Sequence, residues 1–232
     1  MPQSTIPKHI AIIMDGNHRW AKQNNISIEI AYRKGAEASE KVIHESSKLG
    51  IRYLTLYAFS IDNWNRPSNE IALIMLIFKE TMLRQIKRIM NENMRIIFIG
   101  DRSKIPNDVL DVMFQVEKLS EKNSAFFLII AFSYSARHEI MNAAFLTAKN
   151  STYNDIESYS KNFQKNINPH NIPDPDLLIR TSGEVRVSNF LLWEIAYTEM
   201  YFINILWPDF NENDLKNAYD DFRLRERRFG KR

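Results

Sequence analysis

The sequence of 232 residues contains no cysteine, which excludes disulfide bonds, thiolate metal sites and a cysteine nucleophile. Its five histidines show no metal-binding spacing such as HExxH, and no Walker-type phosphate loop or dinucleotide-binding glycine motif occurs. No apolar run approaches the roughly 18 residues of a membrane-spanning helix. The start of the chain, MPQSTIPKH, lacks the long apolar segment of a signal peptide. We therefore expect a cytoplasmic protein, peripheral at the inner face of a membrane at most.

Glycine is also scarce, with six residues, and no repeat or low-complexity stretch divides the chain. The composition is otherwise that of an ordinary globular protein, with 44% hydrophobic and 25% charged residues. This length is enough for one sizeable core, so we expect a single domain over residues 1–232. The formal net charge of +3 permits binding to phosphates, nucleic acid or an anionic membrane, and selects none of them.

Short apolar runs alternate along the chain with longer helical patterns. The predicted strands are 10–14, 51–59, 94–100, 125–132, 176–180 and 200–205. The predicted helices are 34–50, 68–91, 106–121, 135–149, 188–199 and a charged helix that begins at 212. Near-continuous apolar strands separated by helices favour an α/β fold with a central, mostly parallel sheet covered on both faces. In such folds the ligand usually binds beyond the carboxyl ends of the strands.

The loops after the first, second and fifth predicted strands are rich in groups that bind anions. Each of the three carries arginine, whose guanidinium fork matches phosphate oxygens. Gly16 and Gly183 would let the backbone approach a ligand closely. The other candidate residues are Asp15, Asn17 and Arg19 in the first loop; Ser60, Asp62, Asn63, Trp64 and Arg66 in the second; and Arg180, Thr181, Ser182, Arg186 and Ser188 in the third.

Two features admit two interpretations each. Asp15 can be a Mg²⁺ ligand, because Mg²⁺ prefers one or two carboxylates together with substrate phosphate oxygens. It can equally pair with Arg19 and cap the turn. Residues 71–78, after Glu70, are hydrophobic all round a helix, which is typical of a core helix and also of one that lines an apolar cavity. An apolar cavity beside a phosphate site would suit a lipid diphosphate.

Several long segments resemble the cis-prenyltransferase family, which includes undecaprenyl diphosphate synthase. They are HIAIIMDGNHRWAK, LTLYAFSIDNWNRPSNE, IIFIGD, DLLIRTSGEVRVSNFLLWEIAYTEMYF, WPDF and RERRFG, in the family's order. The resemblance implies a parallel sheet flanked by helices, with a hydrophobic tunnel. It also implies a Mg²⁺-dependent condensation of farnesyl diphosphate, or another allylic diphosphate, with successive isopentenyl diphosphates. The product would be a polyprenyl diphosphate such as undecaprenyl diphosphate, the lipid carrier precursor for cell-wall glycan synthesis.

The resemblance also assigns roles to single residues. Asp15 matches a catalytic aspartate that holds Mg²⁺, and Glu199 matches a second metal ligand. Asn63 matches a residue linked to proton removal; an amide is a poor base, so we expect it to position water or the diphosphate. Trp20 can equally be a core aromatic, and Ser188 can equally be a helix N-cap. The positions that match substrate-binding residues are Gly16, Asn17, His18, Arg19, Trp20, Ser60, Asp62, Trp64, Arg66, Arg180, Arg186 and Ser188.

Three departures from the family's pattern stand out. Ile28 and Tyr32 replace an arginine and a histidine, which predicts weaker binding of the allylic diphosphate, and we expect Tyr32→His to tighten it. Ser135 and Ala136 replace a glycine pair in a turn, where backbone angles that only glycine adopts cheaply are expected. His18 stands at a position that is often glycine, where it would narrow the phosphate pocket or add a donor to it.

The departures keep alternatives open. Accessory subunits of cis-prenyltransferase complexes keep the fold and lose the aspartate that Asp15 represents here. A basic nucleic-acid-binding module would bind DNA or RNA with steep salt dependence and without Mg²⁺; we expect no nucleic-acid partner. We expect a homodimer, with the RERRFG tail at the partner subunit, and transient membrane contact when product is released. Phe126 and Phe127 lie on a strand that the family places along the tunnel, so we expect their rings to shorten it.

Overall fold

Six parallel strands form one sheet in the computed structural model, which describes residues 6–150, 153 and 155–225. The strands are β1 (His9–Ile13), β2 (Tyr53–Ser60), β3 (Met94–Ile99), β4 (Phe126–Tyr134), β5 (Leu177–Arg180) and β6 (Glu199–Phe202). Their order across the sheet is β3-β4-β2-β1-β5-β6, and every neighbouring pair is parallel. The predicted parallel α/β fold is therefore confirmed.

The described part of the chain contains seven α-helices; six connect strands, and α7 follows the last one. They are α1 (Asn17–Gln23), α2 (Ile28–Lys48), α3 (Ser68–Asn91), α4 (Asn107–Ser120), α5 (Ala136–Asn150), α6 (Ile156–Ile167) and α7 (Glu212–Leu224). The side chain of Ser27 caps α2, and that of Asp155 caps α6, each accepting a hydrogen bond from a backbone N–H of the first turn. The helices α1 and α6 were not predicted, because α1 is short and α6 is mostly polar in sequence.

The two faces of the sheet are covered by different elements. Alternate strand side chains such as Ile12, Leu56 and Ile130 belong to the larger core cluster, together with residues of α2, α3, α4 and α7. The side chains between them, such as Ile13, pack on the other face against Phe190 and its neighbours. Helices α5 and α6 pack against each other through a third apolar cluster. This alternation follows from the two-residue period of a strand that is buried on both faces.

The predicted helix 188–199 is wrong. Ser188, Asn189 and Leu191 have left-handed backbone angles, with φ of 45°, 60° and 46°. A right-handed helix cannot contain them, so the segment forms successive turns instead. The carbonyl of Asn189 accepts the backbone N–H of Ala136 at 3.1 Å, which ties these turns to the start of α5. Phe190, Leu191 and Ile195 are buried although they belong to turns, whereas Trp193 and Tyr197 are exposed.

The expected strain at the replaced glycine pair is also wrong. Neither Ser135 nor Ala136 has a positive φ, and Ala136 is the first residue of α5. The left-handed residue of this turn is Ser133, with φ of 53°. The side chains at 135 and 136 are therefore compatible with the turn.

No helix among the described residues combines the length and the apolar character that crossing a membrane requires.

Candidate active site

Asp15 and Arg180 meet at the carboxyl edge of the sheet. Ile13, at the end of β1, is in register with Arg180, at the end of β5. Arg180 Nη2 donates a hydrogen bond to Asp15 Oδ2 at 2.8 Å, across 165 residues of sequence. Asp15 thus pairs with Arg180. Arg19, which one interpretation of the sequence paired with Asp15, instead donates a hydrogen bond to Glu184. The parallel order brings the first and third candidate loops together as predicted.

The Arg180 guanidinium is held in place and only partly satisfied. Its side chain is 4% exposed. Nη1 donates to Ser188 Oγ at 2.7 Å and to the Arg186 carbonyl. Nε is buried and has no hydrogen-bond partner among the described residues. Ser188 therefore orients Arg180 and is not a helix cap, and the guanidinium retains a donor for a further anion.

Other buried polar atoms lie unpaired at the same two strand exits. Asn17 Oδ1 and Ser182 Oγ are buried without a partner among the described residues. The backbone of Asp15 is fixed beside them, since its N–H donates to Thr181 Oγ1 at 2.9 Å. Native proteins leave few buried polar groups unpaired, so several such atoms in one place indicate that a polar ligand completes the site.

Glu184 lies between two of the candidate arginines. Arg19 Nη2 donates to Glu184 Oε1 at 2.7 Å, and Arg186 Nη1 donates to Glu184 Oε2. These two hydrogen bonds hold the pKa of the Glu184 carboxyl below its usual range, and the bond from Arg19 has the larger effect. A carboxylate held by two guanidinium groups shows that this loop can bind an anion. The candidate list from the sequence did not include Glu184.

A second polar cluster joins the first loop to the second. The Glu70 carboxylate accepts from Tyr32 Oη at 2.7 Å, His18 Nε2 at 2.8 Å and Arg66 Nη1 at 3.1 Å. Tyr32 Oη also accepts from Arg66 Nη1 at 2.7 Å. Burial works against ionisation, yet the hydrogen bonds from Tyr32 and His18 hold the pKa of Glu70 below its usual range. His18 and Tyr32, two of the family departures, thus act together through one carboxylate.

The loop after β2 is ordered by its own side chains. Ser60 and Asn63 form a reciprocal cap: the Asn63 N–H donates to Ser60 Oγ at 3.3 Å, and the Ser60 N–H donates to Asn63 Oδ1 at 2.9 Å. Trp64 anchors the loop to β4 through Nε1, which donates to Ser133 Oγ at 2.9 Å. Asp62 is exposed. Ser60, Asn63 and Arg66 line the cavity described next, whereas Asp62 and Trp64 do not.

A cavity of about 350 Å³ opens beside these groups and extends between the sheet, α2 and α3. Its polar mouth is lined by Asp15, Asn17, Tyr32, Ser60, Asn63, Arg66 and Arg180. Beyond the mouth most lining side chains are apolar, including Ile74, Ile77 and Phe78 of α3 and Leu128 and Ile130 of β4. The apolar segment 71–78 therefore lines a cavity as well as the core. The arrangement can hold an anionic head at one end and a hydrocarbon chain behind it.

Comparisons with known proteins agree with this geometry. The family model of undecaprenyl diphosphate synthase matches residues 13–230. An isoprenyl transferase of Fusobacterium nucleatum is 40% identical over 98% of this chain and 97% of its own. The (2E,6E)-farnesyl-diphosphate-specific ditrans,polycis-undecaprenyl-diphosphate synthase of Haemophilus influenzae is 42% identical over 99% of this chain and 98% of its own. The chain belongs to the undecaprenyl diphosphate synthase family.

A solved structure with the same fold is also similar to this chain. The lavandulyl diphosphate synthase of Lavandula x intermedia, in complex with dimethylallyl diphosphate, superposes with a TM-score of 0.93. It is 34% identical to this chain and covers 97% of it and 99% of its own chain. The resemblance seen in the sequence motifs is therefore confirmed over nearly the whole length.

Glu199, which the family resemblance makes a second metal ligand, lies away from Asp15 within one chain. It is the first residue of β6, so it sits at the opposite edge of the sheet, roughly 10 Å along the strand from Phe202, which is in register with Arg180. Its carboxylate accepts from Arg225 Nη1 at 2.9 Å. Among the described residues there is also no cluster of three or more acidic or histidine side chains that would hold a metal alone.

The expectation that Phe126 and Phe127 shorten the tunnel is wrong, because neither ring lines the cavity. Phe127 faces away from the cavity and stacks on Tyr53, with ring centroids 4.8 Å apart. Phe126 is buried on the same strand face as Leu128, but does not line the cavity. The RERRFG segment lies outside the described residues, apart from Arg225. Trp20 does not line the cavity either, and is half-buried in α1.

Proposed function

We propose that this chain is a cis-prenyltransferase. It condenses isopentenyl diphosphate units onto an allylic diphosphate, farnesyl diphosphate, to give a long-chain polyprenyl diphosphate such as undecaprenyl diphosphate. The observation that carries the proposal is the direct junction of a buried, partly unsatisfied anion site with a deep apolar cavity. The diphosphate binds at the carboxyl edge of the sheet, and the prenyl chain lies between α2 and α3.

The two diphosphates divide the arginines between them. The first loop, with Gly16, Asn17, His18 and Arg19, binds the allylic diphosphate. Arg180 and Arg186, with Ser188 behind Arg180, bind the isopentenyl diphosphate. Glu184 is bound by Arg19 and Arg186, one from each set, so arriving phosphate groups compete with its carboxylate for both guanidinium groups.

The residues at the mouth fit a Mg²⁺ ion shared with substrate. Asp15 offers carboxylate oxygen, and Asn17 Oδ1 is a buried acceptor without a donor. Mg²⁺ needs few protein ligands when phosphate oxygens and water complete its octahedron. When bound, the ion would stabilise the negative charge of the leaving diphosphate. Asp15 and Asn17 are the residues that would hold it.

Asn63 positions a reactant. Its Oδ1 already accepts the Ser60 N–H, so the Nδ2 group is the part that is left to face the cavity. An amide N–H₂ is a donor and cannot take a proton. Asn63 therefore orients a phosphate or a water, while the apolar walls keep bulk water from the reacting carbon atoms.

Several wider features belong to the same proposal. The working unit is a homodimer. Within its own chain Glu199 lies at the edge of the sheet opposite Asp15, so its carboxylate would reach a metal only in the site of the partner subunit. The protein is cytoplasmic, and its hydrophobic product brings it into transient contact with the inner face of the membrane.

Tyr32→Phe is expected to raise the Michaelis constant for the allylic diphosphate about tenfold, with less change in kcat. The variant loses the hydroxyl that is bonded to both Arg66 and Glu70, and a hydrogen bond to a charged group contributes about 1.5 kcal/mol. Steady-state kinetics with the allylic substrate varied measures the change. Tyr159→Phe, in α6, is the matched control and should leave both constants unchanged. An unaltered Michaelis constant in Tyr32→Phe would show that the hydroxyl does not position Arg66.

One incubation tests the function. Purified protein receives labelled isopentenyl diphosphate and either farnesyl or dimethylallyl diphosphate, with Mg²⁺ or with excess chelator, and the butanol-extractable label is sized by chromatography. We expect long polyprenyl products from farnesyl diphosphate with Mg²⁺, and background label with chelator. Folded protein that incorporates no label from either primer would refute the enzyme and favour an accessory subunit. Ten-carbon products alone would refute chain elongation.

A further inference from the structure

Gly35 of α2 lies directly against the Asn17 amide at the mouth of the substrate cavity. A Cβ added to Gly35 would lie 2.5 Å from Asn17 Oδ1 and 3.1 Å from Cδ1 of Trp207. Both Gly35 and Asn17 line the cavity. The space that the Asn17 oxygen occupies is therefore the space that any other residue at position 35 would fill.

The backbone of α2 does not itself require a glycine at this position. Gly35 is buried in the interior of a 21-residue helix, and it is not among the glycines with a positive φ. Inside a helix alanine is more favourable than glycine, because glycine loses more conformational freedom on folding. The reason for the glycine is therefore its contact with the neighbouring loop.

Trp207 fixes the distance between α2 and that loop. Its ring is fully buried, and its Nε1 donates a hydrogen bond to the Gly35 carbonyl at 2.9 Å. Its backbone N–H donates to the Asp15 carbonyl at 3.0 Å. One residue near the end of the chain thus holds both the helix that carries Gly35 and the loop that leads to Asn17.

The Asn17 oxygen has no other fixed contact that would orient it. Asn17 Oδ1 is buried and has no hydrogen-bond partner among the described residues. Its place is therefore set by packing against Gly35. A methyl group at position 35 would displace this oxygen first, because it is the end of a side chain that can rotate, whereas the Trp207 ring is enclosed in the core.

We propose that Gly35 is a positioning residue, which together with Trp207 holds the Asn17 amide where it acts on the allylic diphosphate and its Mg²⁺ ion. This inference rests on the proposed function, in which Asn17 belongs to the allylic diphosphate site. Gly35 acts by leaving room, and Trp207 acts by keeping the helix at a constant distance from the loop.

Calorimetric titration of Gly35→Ala with farnesyl diphosphate and Mg²⁺ tests the proposal. Isopentenyl diphosphate is omitted, so that binding is measured without product formation. We expect binding to weaken about tenfold, since partners that orient a ligand-binding group typically contribute roughly 10- to 100-fold in affinity. The Michaelis constant for isopentenyl diphosphate should not change, because that substrate binds at the third loop.

The same substitution in an Asn17→Ala background isolates the contact. There Gly35→Ala should weaken binding no further, because the oxygen that it displaces is absent. An equal loss in both backgrounds would assign the effect to the packing of α2 against Trp207 and overturn the proposal. Unchanged binding in Gly35→Ala alone would also overturn it. Wild-type protein that binds no farnesyl diphosphate would instead refute the proposed function.

Trp207→Phe provides a second, independent variant. It keeps a buried ring and removes only the N–H that holds the Gly35 carbonyl, so it should weaken farnesyl diphosphate binding in the same direction. The matched control is Trp193→Phe, which loses an indole hydrogen bond to Gln164 outside the cavity and should bind as the wild type does. If Gly35→Ala does not fold, Trp207→Phe decides, and binding as tight as that of Trp193→Phe would overturn the proposal.

Discussion

Asp15→Asn is expected to lower kcat/KM about 10³-fold while the protein still folds. Removing one well-placed charge-stabilising group from an active site costs 10²- to 10³-fold, and Asp15 serves both the proposed metal and Arg180. The asparagine oxygen can still accept the hydrogen bond from Arg180, so the buried guanidinium retains a partner. Isopentenyl incorporation at saturating Mg²⁺, together with a thermal melting curve, measures both effects.

A matched control for Asp15→Asn is Asp101→Asn, at the exit of β3. Asp101 accepts from the N–H and hydroxyl of Ser103 and lies outside the substrate cavity. It should lose little activity. If Asp15→Asn keeps more than about a tenth of the wild-type kcat/KM, the carboxylate is not the centre of the reaction and the metal assignment is wrong.

Gly100→Ala is expected to lower the melting temperature by about 10 °C. Gly100 directly follows β3 and has φ of 128°, and a Cβ there would lie 2.1 Å from the carbonyl oxygen of Phe132 and 3.0 Å from that of Ser133. Both atoms belong to the backbone of the neighbouring strand and cannot move aside. The combined clash and strain amount to about 4 kcal/mol, and each kcal/mol corresponds to roughly 2–4 °C in a chain of this size.

Gly50→Ala separates the clash from the strain. Gly50 also has a positive φ, of 78°, but a Cβ added there meets nothing within 4 Å. It should cost about 1 kcal/mol and only a few degrees. Differential scanning calorimetry of the two variants gives the comparison. Equal melting shifts would mean that the contact between Gly100 and β4 contributes nothing beyond the backbone conformation.

The strands were the most predictable part of the fold, and the reason is physical. A parallel sheet buried on both faces requires uninterrupted apolar runs, and such runs are visible in a single sequence. The segment 188–199 shows the limit of this reasoning. Its residues Phe190, Leu191 and Ile195 are buried as one face of a helix would be, but Ser188, Asn189 and Leu191 have left-handed angles, and the Asn189 carbonyl is bonded to the start of α5. No local pattern reveals those contacts.

The same distinction applies to the candidate site. The loops that carry Asp15 and Arg180 were predicted to come together because parallel strands end at one edge, although the pairing of these two side chains was not predicted. Glu199 was expected to join them, but it begins a strand and therefore lies at the other edge. Glu184 was not singled out, because a charged residue in a loop is usually solvated. Whether such a side chain turns inward depends on packing that the sequence does not display.

The order of the strands means that the reaction centre cannot form before the chain has reached β5. Strand β1, at the start of the chain, pairs with β5 through contacts such as Ile10 with Leu177. Pairings between such distant segments form slowly. A nascent chain that has not yet reached β5 has one edge of β1 unpaired, and such an edge is a template for aggregation. Since Arg180 arrives with β5, catalytic activity requires that β5 has paired with β1.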